Sequence, residues 1–134
     1  MSVAGIVVRA DGRSLTVQRR DNSRWEPPRG VLELAETFED GVRREVAEET
    51  GITVEIERVT GVYKNLTLGV VALVFRCRPI GAATPTEESQ QVQWLIVDEV
   101  RTHMTPAYAV RVLDDLGPIH IPRYDHARPG PDHR

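Results

Sequence analysis

Two periods of apolar and polar residues run along the chain, and the changes between them mark its elements. Residues 4–9 and 14–20 have strand character, and Ala10-Asp11-Gly12-Arg13 between them holds an Asp-Gly turn, so a hairpin is expected. Residues 21–30, with Trp25 and the pair Pro27-Pro28, read as an irregular loop. Over residues 37–50 the period becomes helical: Phe38, Val42 and Val46 recur at every fourth position, and Gly51 supplies the stop. Thr37 is the expected cap, with Asp40 three residues on in the manner of a capping box and Glu39 also favouring the positive helix end. Residues 52–59, 69–77 and 91–97 are further strand candidates. Thr105 caps a short helix over residues 106–116, with Pro106 first, Gly117-Pro118 closing it, and Tyr108, Val112 and Leu116 as its apolar stripe.

Strands before, between and after two helices predict an α/β (α+β) layered domain rather than a bundle or a sandwich. With neither an internal repeat nor a linker, residues 1–117 are expected to form one domain. Residues 118–134 form a tail containing proline and histidine, either disordered or packed on that domain. A length of 134 residues suffices for one core without staples. The net charge of −3 leaves no electrostatic footprint for nucleic acid or an anionic membrane. Cys77 is the single cysteine, so no intrachain disulfide forms, and its apolar run predicts a buried strand residue rather than a nucleophile. The first residues lack the pattern of a signal peptide, and no apolar run approaches the roughly 20 residues of a membrane span. A soluble cytoplasmic protein is therefore expected, as a monomer or a homodimer.

Charge becomes informative locally, in Arg44-Glu45-Val46-Ala47-Glu48-Glu49-Thr50-Gly51. On a helix Glu45, Glu48 and Glu49 fall within an arc of roughly 100°, at the edge of the apolar stripe. Carboxylates at these spacings repel by a few tenths of a kcal/mol per pair, about what a neutralising cation removes. Hard oxygen ligands suit magnesium or manganese. By spacing alone a solvated acidic face and a metal site both remain open. Arg44, one turn before Glu48, is placed to pin one carboxylate.

The stretch from Gly30-Val31-Leu32-Glu33-Leu34-Ala35-Glu36 to Arg44-Glu45-Val46-Ala47-Glu48-Glu49-Thr50-Gly51-Ile52 resembles the signature of the Nudix hydrolases, the MutT-like enzymes acting on nucleoside diphosphates linked to another moiety. That signature is Gly, five residues, Glu, seven residues, Arg-Glu, an aliphatic residue, any residue, Glu-Glu, any residue, Gly and an aliphatic residue, and every required position is filled. The Trp and Pro-rich loop before it and the strand around Trp94 after it agree, so the likeness covers roughly residues 3–116.

The resemblance implies an α/β/α sandwich with a mixed sheet between helices, and water attack on phosphorus with Mg2+ or Mn2+. It implies Glu48 and Glu49 as principal metal ligands, and Glu45 as a further ligand or general base. Glu36 matches the supporting glutamate of the loop, and Arg44 the arginine that orients a glutamate. Arg29 stands where a backbone carbonyl joins the metal. Glu88, with Glu87 as the close alternative, falls where relatives carry an extra catalytic carboxylate. The implied partner is a small nucleotide-type diphosphate, with no nucleic acid and no membrane. A pyrophosphohydrolase for oxidised nucleoside triphosphates is the alternative within the family, and a catalytically weakened nucleotide-binding or regulatory module is the alternative outside catalysis.

Three positions depart from the family. The usual entry Pro-Gly-Gly is here Pro28-Arg29-Gly30, and Ala35 replaces the glycine commonly found before Glu36. If those glycines serve a positive φ, each substitution adds about 1–2 kcal/mol of strain. The Arg29 guanidinium is expected either to clamp phosphate or to block the cleft as a counterion to the glutamates. Gly41 falls mid-helix, at a cost near ~1 kcal/mol relative to alanine. Among further candidates for substrate contact, Arg19 and Arg20 point opposite ways, so at most one faces a cleft. Trp25 is expected either to stack on a base or to pack over the sheet, and Trp94 to pack in the core. Tyr63, Lys64 and Asn65 are expected between strands, and His103 in a loop before the last helix. His120, His126 and His133 lack metal-site spacing.

Overall fold

The computed structural model describes residues 1–80, 91–115 and 123–125. Its strands are β1 (Ser2–Val7), β2 (Ser14–Gln18), β3 (Trp25–Glu26), β4 (Arg29–Val31), β5 (Val54–Asn65), β6 (Val70–Pro79), β7 (Gln91–Leu95) and β8 (Arg123–Asp125). The helices are α1 (Phe38–Thr50), α2 (Val97–His103) and α3 (Pro106–Asp115). A mixed five-stranded sheet runs β4-β1-β6-β5-β8, and an antiparallel three-stranded sheet runs β3-β2-β7.

β1 is buried along its whole length, and its alternation sorts side chains between two cores. Val3 and Val7 pack with Val42 and Val46 of α1 and with Phe75 and Cys77 of β6. Ala4 and Ile6 pack with Val100 of α2, with Ala109 and Val112 of α3, and with Ala72 and Val74 of β6. The period of two thus puts α1 on one face of the sheet and α2 with α3 on the other. Cys77 is a buried strand residue, its thiol pushed up to about 12 chiefly by burial.

The expected hairpin does not form as a ladder. The turn is present: Gly12 takes φ 86°, and the Arg9 N–H donates to the Arg13 carbonyl at 2.9 Å. Only the bridge Val8–Ser14 joins the two segments before they enter different sheets. The reason is occupancy, since both edges of β1 are taken, by β4 antiparallel and β6 parallel.

Other boundaries move for similar reasons. Residues 21–30 contain the two short strands β3 and β4 on either side of Pro27-Pro28. β5 runs on through Tyr63, Lys64 and Asn65, which therefore lie within a strand rather than between strands. The segment 91–97 ends as a strand at Leu95, and α2 follows. There the Ile96 N–H donates to Glu99 at 3.0 Å, a start signal hidden in an apolar run. His103 is consequently the last residue of α2, exposed, and not a loop residue. Phe38, read as the first member of the buried stripe of α1, is 41% exposed, because it lies in the first turn beyond the sheet contact. From the tail, Arg123–Asp125 runs parallel beside Tyr63–Asn65. His120, His126, His133, Leu116 and Gly117 lie outside the described residues.

Candidate active site

α1 is capped at both ends as its sequence requires. The Thr37 hydroxyl accepts the Asp40 N–H at 3.1 Å, and Gly51, at φ 75°, donates its N–H to the Ala47 carbonyl at 2.8 Å. Val42 and Val46 anchor the helix on the sheet. Glu45 and Glu49, one turn apart, lie on the flank of that stripe and are buried, whereas Glu48 is exposed.

β4 crosses directly against this flank. The Arg29 N–H donates to Glu49 Oε1 at 3.0 Å. At Gly30 an added Cβ would stand 2.1 Å from the Glu45 carboxyl carbon, so a side chain here would displace the tip of Glu45, while the φ of Gly30 is not positive. Gly41 is similarly crowded, with a Cβ placed 2.5 Å from the Leu32 Cδ1 tip.

Arg44 is the hub of the acidic side. It grips Glu36 with one edge of its guanidinium, Nε to Oε2 at 2.6 Å and Nη2 to Oε1 at 2.9 Å. Nη1 reaches Glu45 at 2.6 Å and Glu48 at 3.4 Å, and Nη2 also donates to the Val31 carbonyl at 3.0 Å. This fork holds Glu36 down at about 2 and raises Arg44 above its ordinary value, Glu36 being the main cause. Glu36 is tied down again by the Glu33 N–H at 3.0 Å.

On the opposite side of Glu49 lies Glu26, an acid that the sequence reading did not single out. It is buried, and Arg29 Nε reaches its Oε1 at 3.1 Å, with Arg19 Nη1 at 3.8 Å. Burial raises Glu26, and it raises Glu49 to about 8, an effect that Glu26 and Glu45 reinforce as neighbouring negative charges. The signal available in the sequence was the i,i+3 pair Glu26/Arg29 across two prolines. Tyr108, expected only as core, carries Arg29 on its ring at 4.7 Å.

An open cleft of about 390 Å³ lies over this cluster, lined by Arg19, Arg29, Gly30, Glu33, Arg44 and Glu45 among others. Arg19 faces it, and Arg20 is exposed. Tyr63, Lys64 and His103 do not line it: Tyr63 is buried with its hydroxyl donating to Asp114 at 2.9 Å, while Lys64 and His103 are exposed. Trp25 and Trp94 are half-buried and pack against the two cores. Glu87 and Glu88 lie outside the described residues.

Neither Arg29 nor Ala35 has a positive φ; among the described non-glycine residues only Ser23 does. The strain expected from two lost glycines is therefore not there. The Arg29 guanidinium is buried against Glu26 and the Tyr108 ring, and Arg29 also lines the cleft. Among the described residues no three His, Cys, Asp or Glu side chains converge into a ready-made metal site. Glu45 turns toward Arg44, Glu49 toward the Arg29 N–H, and Glu48 toward solvent.

The family model of the NUDIX domain matches residues 1–116. A MutT-like protein of Streptomyces ambofaciens is 57% identical over 129 residues, covering 93% of this chain and 83% of that protein. An ADP-ribose pyrophosphatase of Methanocaldococcus jannaschii is 34% identical over 68 residues, covering 48% of this chain and 40% of that protein. A NUDIX hydrolase from Nitrosomonas europaea superposes with TM-score 0.79 at 20% identity, covering 92% of this chain and 77% of that one. The chain belongs to the NUDIX family and is an enzyme of the Nudix pyrophosphohydrolase class. The family acts on small nucleotide-type substrates and generally uses divalent metals. No described helix is long and apolar enough to cross a membrane.

Proposed function

We propose that this enzyme cleaves the phosphoanhydride bond of a nucleoside diphosphate linked to another moiety, with Mg2+ or Mn2+ held by Glu45, Glu48 and Glu49 and by the backbone carbonyl of Arg29. The observation that carries this reading is the burial of Glu45 against Gly30, at the cleft, and of Glu49 one turn on, against the Arg29 N–H. Burial first, and then the neighbouring Glu26 and Glu45, disfavour the charged form of Glu49, and Arg19 at 4.0 Å offsets them only in part. The donors are all hard oxygens, which fits these ions in kind.

The cation, when bound, supplies the positive field that lets an acidic cleft accept a diphosphate and polarises its P–O bonds. Arg19 meets the phosphates from the cleft wall. Arg44 keeps Glu36 and Glu45 in register with the helix. Glu45 or Glu88 takes the proton of the attacking water, and the new P–O bond forms as the bridging P–O bond breaks. The products are a nucleoside monophosphate and a phosphate of the other moiety.

The test is a hydrolysis screen of purified protein across nucleoside triphosphates, oxidised guanine triphosphates, nucleotide sugars, ADP-ribose and dinucleoside polyphosphates, each with magnesium, manganese or chelator. Glu49→Gln is expected to lower metal-dependent turnover at least ~100-fold with folding intact. Near-native turnover in that variant rejects the ligand assignment. Nucleotide binding without turnover by the wild type points instead to a binding module.

A further inference from the structure

Arg29, Tyr108, Arg111 and Tyr63 stack in an alternating column. The Arg29 guanidinium lies 4.7 Å from the Tyr108 ring, and Arg111 lies 5.0 Å from both Tyr108 and Tyr63. Tyr108 and Arg111 are three residues apart on α3, Tyr63 is on β5 and Arg29 is on β4, so the column joins three elements distant in sequence. Arg29 and Arg111 are both buried, and guanidinium planes stack well on aromatic faces in such desolvated places. The far end is fixed by the Tyr63 hydroxyl bond to Asp114, again on α3.

At its near end the column meets the acidic cluster. The Arg29 main chain donates to Glu49, and its side chain pairs with Glu26, the acid beside Glu49. The main-chain donor is held by the ladder of β4 with β1, so a displaced Arg29 guanidinium acts on Glu49 through the charge compensation of Glu26, its acidic neighbour.

We propose that Tyr108 and Arg111 are positioning residues, which hold the Arg29 guanidinium on Glu26 and thereby couple α3 to the charge around Glu49 on the cation-binding flank of α1. This inference rests on the ligand assignment made above for Glu49. A merely structural column would change stability and nothing else, so the readouts are chosen to separate the two.

The experiment compares the full chain carrying Tyr108→Leu or Tyr108→Phe with wild type, by calorimetric titration of Mn2+ and by solvent exchange of the Arg29 Nε–Hε proton in metal-free protein. Tyr108→Leu is expected to weaken Mn2+ binding about tenfold and to speed Hε exchange, and Tyr108→Phe, which keeps the ring, to restore both. Wild-type Mn2+ affinity in a folded Tyr108→Leu, or unchanged Hε exchange, overturns the proposal. Should Tyr108→Leu not fold, Arg29→Lys, which keeps the charge and loses the planar stack, decides it: weakened Mn2+ binding supports the column, and unchanged binding overturns it. If wild-type protein binds no Mn2+, the ligand assignment fails by itself, and Hε exchange still decides whether Tyr108 holds Arg29.

Discussion

Glu49 shows how a single residue carries a conflict that folding alone does not resolve. Burial and the neighbouring acids Glu26 and Glu45 put its pKa at about 8, against the opposing pull of the Arg29 N–H and of Arg19 at 4.0 Å. The sign of the pH effect follows directly. Above the ordinary value of 4.5 the unfolded chain releases a proton that the native metal-free protein keeps, so stability falls between pH 4.5 and about 8 and then levels. Glu49→Gln removes that slope. In chelator, urea unfolding of the variant is expected to exceed wild type at pH 8 by on the order of 3 kcal/mol, with the two converging near pH 4.5. Equal stabilities at pH 8 would show that the buried carboxyl is not strained by its charge.

Among elements, the contact between β4 and α1 decides the geometry of the cluster. Both are held to the sheet independently, β4 by its ladder with β1 and α1 by Val42 and Val46. The gap between them is consequently fixed, and Gly30 fills it without a side chain. Gly30→Ala is expected to push the Glu45 carboxyl out of its place, at a Cβ distance of 2.1 Å, and to lower turnover at least ~10-fold while the circular dichroism spectrum stays native. Full activity in that variant would mean that Glu45 has a second productive position. The ordinary negative φ of Arg29 follows from the same ladder, since residue 29 pairs with Ala4 as a regular strand residue.

For the molecule as a whole, what matters is that α3 stays docked opposite α1. Val112 and Ala109 supply apolar contact, and Arg76 of β6 donates to the fully buried Asp115 carboxylate at 2.8 Å. Arg76→Met removes the Arg76 guanidinium from that buried carboxylate, and a loss of about 3 kcal/mol in urea unfolding at neutral pH is expected. A loss under about 0.5 kcal/mol would show that the Arg76 pair does not hold the docking.

Local sequence determined α1 and its caps, the Asp-Gly turn, the buried run around Cys77 and the motif that identifies the family. Each of these depends on near neighbours: a helical period, a Thr hydroxyl three residues before an N–H, a glycine at a left-handed terminus. Tertiary structure alone decided that β1 and β2 part into two sheets, because the neighbours of β1 come from residues 29–31 and 70–79. It also decided that Glu26 meets Glu49, and that Tyr63 serves the core instead of the cleft. The acids of α1 were legible because one helix carries them. The partners that set their charge come from β3, β4 and Arg19 just after β2, and no spacing along the chain encodes a meeting across a fold.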